Sequence, residues 1–295
     1  MFILRDLLLP LQTHFSDTKL GKERASLFIY TLLAIIVPFT SSMSSNLWRG
    51  LGALFGIDIK KKRFYTFMAS STLPWKSLWH STWGLIDSPE TEGKLLVALD
   101  DSINTKVGKK IFGCEQIFDH AAKANQSDYP WAQNIVSIGL LKQVHARWAC
   151  LFLDFRFYLP KKTIEAKSDR AKMKGKILPF KTKLSQAADM IIEIGEYFSE
   201  SPILAVTDSW FGNASLLNPV RKILGKRFDI LSRLRCNNVL YDFPEPSKSG
   251  QLGRRKKYGQ RLGSATEMAG TFQPLCRALH NGCYAEYETM QSPPF

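Results

Sequence analysis

The first ninety or so residues carry apolar positions at a helical period. Leu47, Leu51, Leu54 and Phe55 recur at three- and four-residue steps, and Phe64, Phe67 and Met68 repeat the spacing. Trp75, Leu78, Trp79, Thr82 and Trp83 form a third stripe behind Pro74, a residue suited to a first helical turn. Upstream, Lys19 to Pro38 reads as one helix that closes near its proline. Its most apolar part, Leu27 to Phe39, is 13 residues long, short of the roughly 20 that a spanning helix needs. It reads as a buried core helix, and no membrane partner is expected. Arg5 and Asp6 interrupt the N-terminus, so a signal peptide is not expected either. Residues 1–92 therefore read as a small helical region.

Beyond Glu92 the period changes. Lys94 to Leu99 is a short apolar run ending in Asp100 and Asp101. Asn134 to Leu141 and Trp148 to Leu159 are apolar or alternating and rich in β-formers, so they read as strands. A helix is predicted over Leu184 to Phe198, a buried strand over Ile203 to Thr207, a helix over Gly212 to Leu224 and a strand over Phe228 to Leu234. Several strands followed by helix, strand, helix, strand define an α/β domain with a mixed sheet over 93–295.

Composition supports a folded chain. The 295 residues are 45% hydrophobic and 22% charged, which excludes global disorder. Five scattered cysteines, with no CxxC or Cys/His cluster, argue against a disulfide scaffold and a structural zinc site, and for a reducing compartment. The net charge of +14 favours a polyanionic partner, nucleic acid before an acidic membrane surface. The excess is concentrated. Residues 161–183 hold nine lysines and arginines against two acids, and 248–261 hold six against none. Lys172, Lys174 and Lys176 in the first stretch, and Arg254, Arg255, Lys256 and Lys257 in the second, are the candidate phosphate contacts. Both stretches fall between predicted elements and are alternatively solvated loops. Lys60, Lys61, Lys62 and Arg63 open a predicted helix and are either a solvated run or a helix-turn-helix-like phosphate contact.

The chemical signal is an aspartate at the end of each of two apolar strands, Asp100 after Leu95–Leu99 and Asp208 after Leu204–Thr207. Ligands bind at strand ends in open α/β sheets, and a carboxylate on an apolar strand is costly to bury unless paired or bound to a cation. Two such carboxylates brought together would repel, and a divalent metal relieves the repulsion. Hard oxygen ligands suit Mg2+ or Mn2+, and two such ions can activate a water or 3′-hydroxyl at a phosphodiester. Asp119 with His120 is either a catalytic-site accessory or, as the preferred reading, a surface or loop pair; Trp131 and Trp148 read as core rather than base-stacking platforms, and Cys114 and Cys150 as buried small apolar residues. No Gly-rich nucleotide loop, nucleophile elbow or HExxH is present.

These motifs resemble a known family. Val97-Ala98-Leu99-Asp100-Asp101-Ser102, the following Ile103, Lys106, Gly108, Lys109 and Lys110, the Thr207-Asp208-Ser209-Trp210-Phe211 turn and the Asp229-Ile230-Leu231-Ser232-Arg233 strand are similar to the catalytic core of insertion-sequence DDE transposases. The resemblance spans about Lys94 to Arg261 and implies an RNase H-like fold, DNA as partner, a homodimer on DNA, a cytoplasmic, nucleoid-associated location, and metal-dependent DNA cleavage and strand transfer. It implies Asp100 and Asp208 as catalytic metal ligands, with Asp101 as second choice for the first. The family's third ligand, a glutamate on a later helix, has no clear counterpart. Tyr258 and Arg261 have the family's spacing, but position 265 is alanine; Glu267, Glu286 and Glu288 remain, the last two in a strand-like context. The chain accordingly reads as a C-terminally truncated, inactive or weakly active transposase. The rivals are a non-catalytic DNA-binding protein and, last, a hydrolase using an aspartate dyad.

Overall fold

The computed structural model describes residues 3–37, 43–233, 236–246, 253–254, 256–264 and 266–268. The chain divides into two compact units, one of Met1–Thr207 with Phe211–Leu231 and one of Asp208–Trp210 with Ser232–Phe295.

The larger unit opens with a π-helical turn (Ile3–Leu8) and a 3-10 turn (Leu9–His14), followed by helices α1 (Lys19–Ile36), α2 (Ser44–Phe55), α3 (Lys61–Met68) and α4 (Trp75–Gly84). Thr18 caps α1 by accepting a hydrogen bond from the Gly21 amide, and α2 ends on Gly56 in the left-handed conformation. The apolar stripes meet in one cluster that includes Leu8, Leu27, Ile29, Leu47, Leu51, Phe64, Phe67 and Leu78. Leu27, Phe28, Ile29 and Ala34 of the apolar run expected to be a buried helix are part of this core, whereas Ile35 and Ile36 are exposed and residues 38 and 39 lie outside the described residues. No helix of the described residues is long and apolar enough to cross a membrane.

A mixed sheet follows, built from β1 (Leu95–Thr105), β2 (Glu115–Gln116), β3 (Trp131–Val144), β4 (Arg147–Tyr158), and, after α5 (Lys161–Glu165), the short pair β5 (Lys172–Met173) and β6 (Lys176–Ile177), and α6 (Lys183–Tyr197), the strands β7 (Ile203–Thr207) and β8 (Phe228–Ser232) with α7 (Ala214–Leu224) between them. The order is β2-β3-β1-β7-β8, with β4 also paired to β3, and β5 and β6 pair only with each other. β1 is antiparallel to β3 and parallel to β7. This is the mixed α/β architecture that the strand and helix order predicts. Leu95, Val97 and Leu99 alternate into a core with Val136, Ile138, Leu140, Leu153, Ile203 and Ala205, closed by α6 and α7 through Met190, Ile191, Ile194, Leu216 and Val220.

β1 is longer than the apolar run suggests. Its antiparallel ladder with β3 continues from Asp100↔Ser137 to Thr105↔Ala132, whereas its parallel pairing with β7 stops at Leu99↔Thr207. The polar half of β1 is a strand because β3 pairs along it, which hydrophobicity alone does not reveal. β3 and β4 form a long hairpin whose turn residues His145 and Ala146 both have positive φ, 48° and 60°, as a two-residue turn of the primed type requires. The hairpin runs past the core, which corrects two expectations: Trp148 is 60% exposed and Cys150 is exposed. Cys114 is buried as expected. Trp131 is half-buried, its indole N–H donating to the Gly108 carbonyl at 3.0 Å. Asp119 accepts from the Ala121 amide and His120 packs on Phe118, a local turn.

α4 belongs to both cores, giving Leu78 to the helical cluster and Trp83 to the sheet cluster. Trp83 is 1% exposed and its indole N–H donates to the Leu153 carbonyl of β4 at 2.9 Å. Beside it, Arg156 reaches Asp154 and Glu193, both at 2.9 Å, and Lys76 of α4 reaches Glu193 at 3.2 Å. Burial pushes the Asp154 carboxyl up, while Arg156 and the Phe155 amide pull it down. Trp83→Ala should lower stability by about 3–5 kcal/mol, read from the chemical denaturation midpoint. Trp83→Phe, which keeps most of the volume, should cost less.

The smaller unit, taken by itself, contains β9 (Val239–Tyr241) and β10 (Arg261–Ser264), an antiparallel pair. The ladder is extended by Asp242 donating its amide to Gln260 and by Gly259 donating to Asp242, with Tyr241 and Tyr258 rings 5.1 Å apart.

Candidate active site

Alternation along β1 separates the two neighbouring aspartates. Asp101 shares the face of Leu95, Val97 and Leu99, the face covered by α6. Its Oδ2 accepts from Lys183 Nζ at 2.7 Å and from Asn134 Nδ2 at 2.9 Å. Lys183 is the first residue of α6, whose N-cap Thr182 accepts from the Ser185 amide. Both side chains of the ion pair are three-quarters or more shielded, at 24% and 20% exposure, where such a contact is worth more than on an open surface. Asp101 thus fastens the start of α6 to the end of the buried sheet face.

Asp100 points the other way, on the face of Ala98 and Ser102, and is exposed. Its Oδ1 accepts the Asp101 amide at 2.8 Å. Ser137 on the adjacent strand donates to the Asp100 carbonyl at 3.2 Å. The last parallel register pair of the larger unit is Leu99↔Thr207, and each of these two residues is followed in the chain by an aspartate.

Asp208 is described within the smaller unit. Its Oδ1 accepts the Trp210 amide at 3.0 Å, and its carbonyl accepts from Ser232 Oγ at 2.8 Å. Of the candidate third acids, Glu286 and Glu288 lie outside the described residues. Glu267 is engaged locally: its carboxylate accepts the Ser264 amide at 2.7 Å and Arg261 Nη2 at 3.0 Å. The Ser264 amide and then Arg261 hold this carboxyl below its ordinary range. Among the described residues no group of three or more His, Cys, Asp or Glu side chains is arranged to hold a metal ion.

The first basic stretch is folded rather than a plain loop. It contains α5, the β5–β6 hairpin and the start of α6. Lys161 pairs with Glu165, Lys172 with Asp169, Lys181 with Asp189, Lys183 with Asp101, and both Lys162 and Arg170 reach Glu115. Lys167, Lys174 and Lys176 have no carboxylate partner among the described residues, and Lys174 and Lys176 are exposed. Three of the acids involved, Glu115, Asp101 and Asp189, lie outside the stretch, so a charge count within it overstates what is open to a ligand. In the second stretch Arg254, Lys256 and Lys257 are exposed, and Arg255 lies outside the described residues. At α3, Arg63 pairs with Glu23, while Lys61 and Lys62 line an open pocket with Tyr65, Thr66, Ser70 and Ser71.

A sequence model of the DDE superfamily endonucleases matches residues 42–286. The chain belongs to this family, and its mixed sheet with flanking helices is the RNase H-like fold of a DDE transposase. Comparison with curated proteins and with solved structures gives no match.

The two faces of β1 give the neighbouring aspartates separable roles. Asp101→Ala takes the carboxylate from beside a shielded ammonium and should cost about 1–3 kcal/mol. Asp100→Ala, at an exposed position, should stay within about 0.5 kcal/mol of the parent. Equilibrium urea unfolding of both variants compares them directly.

Proposed function

We propose that this transposase-like nuclease cuts and joins DNA at the ends of an insertion sequence, with Asp100 and Asp208 as the carboxylates that hold a divalent cation. The observation that carries the proposal is the β1–β7 register. The ladder ends at Leu99↔Thr207, and side chains in register on parallel strands share a face. Asp100 and Asp208 are the residues that follow this pair along the chain, and Asp100 lies on the face opposite the α6 core. Asp100 suits a ligand better than Asp101, whose carboxylate is committed to Lys183 and Asn134. The donor set is carboxylate oxygen, which fits Mg2+ or Mn2+. Such an ion, when bound, neutralises charge on the phosphodiester and lowers the pKa of a bound water. The chain's part is to hold the carboxylates still: Asp100 through the Asp101 amide and Asp208 through the Trp210 amide, with Ser232 fixing the Asp208 backbone carbonyl.

A second reading, DNA binding without cleavage, is favoured by the engagement of Glu267 with Arg261 and Ser264. Among the described residues no third carboxylate joins a metal-holding group, and two carboxylates fix fewer coordination positions than three, so slow nicking is expected. The test is nicking of supercoiled DNA with Mg2+ or Mn2+. Slow, metal-dependent nicking lost in both Asp100→Ala and Asp208→Ala, with DNA affinity retained, is the expected result. Nicking that survives in both variants would overturn the assignment, and DNA binding with no nicking under either ion would favour the second reading.

Phosphate neutralisation by the basic stretches makes a separate prediction. Replacing Lys174 and Lys176 together by glutamine should reduce the slope of log affinity against log salt by roughly 1.8, at about 0.9 for each phosphate that is no longer neutralised. Replacing Lys181, already paired with Asp189, should reduce it less. Fluorescence anisotropy of a labelled duplex across a salt series measures both.

A further inference from the structure

The 161–177 segment has a fixed base and an open tip. At its base, Glu115 of β2 is 15% exposed and is reached from the segment by Thr163 Oγ1 at 2.9 Å, Arg170 Nη2 at 3.1 Å and Lys162 Nζ at 3.8 Å. The Arg170 guanidinium also lies 4.9 Å from the centre of the Trp131 ring. The Arg170 carbonyl accepts the Gly113 amide, and Lys162 Nζ donates to the Gln116 carbonyl. Burial pushes the Glu115 carboxyl up, but hydrogen bonds from Thr163 and the Gln116 amide, with Lys162 and Arg170, outweigh it and hold the group below its ordinary range. The base is therefore an ionised carboxylate surrounded by donors.

The tip is different. Lys174 and Gly175 form the turn between β5 and β6, with φ of 52° and 76°. Such a turn favours asparagine, aspartate or glycine at its first position. Lysine there adopts an uncommon backbone conformation without the local side-chain hydrogen bonding that favours asparagine. An unfavourable residue at an exposed turn motivates a role for its side chain. Lys174 and Lys176, with Lys167 whose φ is also positive at 49°, have no carboxylate partner among the described residues.

We infer that Glu115 is a positioning residue which holds this segment as a preformed hairpin, so that Lys167, Lys174 and Lys176 meet the phosphates of duplex DNA. The inference rests on the reading that the chain acts on DNA, and extends it by giving an acid a supporting role in binding a polyanion. Neutralising an acid should, by charge alone, tighten DNA binding. Glu115 should do the opposite, because loosening the base makes binding bear the entropy of ordering the tip.

The test uses the full chain, a labelled duplex of arbitrary sequence and anisotropy at fixed salt. Glu115→Gln should weaken binding about three- to tenfold, although it raises the net charge by one unit, and should speed tryptic cleavage within 167–176. Thr163→Val, which leaves the charge unchanged, should weaken binding in the same direction and serves if Glu115→Gln does not fold. In a background already carrying Lys167→Gln, Lys174→Gln and Lys176→Gln, the Glu115 substitution should have little further effect, a coupling that a general loss of stability would not produce. Unchanged or tighter binding by Glu115→Gln, or an equal loss in both backgrounds, overturns the role of Glu115 alone. Failure of the parent chain to bind the duplex overturns both this inference and the DNA reading beneath it.

Discussion

The register between β1 and β7 is the constraint on which the candidate site depends. Leu95, Val97 and Leu99 are buried, and their partners Ile203, Ala205 and Thr207 are buried beside them. A slip of one residue in β1 would turn this face outward and drive Asp100 into the apolar layer beneath α6 and α7. Burying a carboxylate without a partner carries an effective penalty of several kcal/mol, more than the net worth of any one interaction along the strand. Core packing therefore sets which face the carboxylate of Asp100 takes, before any ligand is considered.

The same alternation explains why two adjacent aspartates do different work. Asp101 sits where the buried face of the sheet runs out and α6 begins, so it is close enough to the core to be shielded and close enough to Lys183 to be compensated. Arg156 plays a comparable part further along, joining Asp154 of β4 to Glu193 of α6 while Lys76 brings in α4. The charges on the α6 side of the sheet are structural ties between elements, whereas Asp100 is exposed on the opposite face.

Much of the architecture was legible because it follows from local periodicity. The stripes through Leu47–Phe55, Phe64–Met68 and Trp75–Trp83 became α2, α3 and α4, and the β–α–β order after Ile203 appeared close to its expected bounds. What sequence left open depended on partners distant along the chain. Asp100 and Asp101 are chemically identical neighbours, and only pairing with β3 and β7 separates their faces. The polar end of β1 offered no apolar signal, since its strand character comes from residues 132–137 of β3. Trp148 and Cys150 looked like interior residues because composition does not show that a hairpin outruns its core. The resemblance to DDE transposases supplied the RNase H-like expectation, which periodicity alone gave only as a mixed sheet.

Charge shows the same limit with a consequence for binding. The net charge of +14 is a property of the whole chain, but a phosphate meets individual side chains in their surroundings. Within 161–183 the cations differ in what holds them. Arg170 and Lys183 are shielded and tied to Glu115 and Asp101, and displacing them would leave a poorly solvated acid behind. Lys161 and Lys172 hold exposed acids, Glu165 and Asp169, in ion pairs worth little and readily exchanged for a phosphate. Lys167, Lys174 and Lys176, with no carboxylate partner among the described residues, require no exchange at all. If the stretch meets DNA as proposed, electrostatic binding is governed by these few residues rather than by the sum over the stretch. On that reading Glu115, an acid, would support binding of a polyanion by fixing where the turn is held.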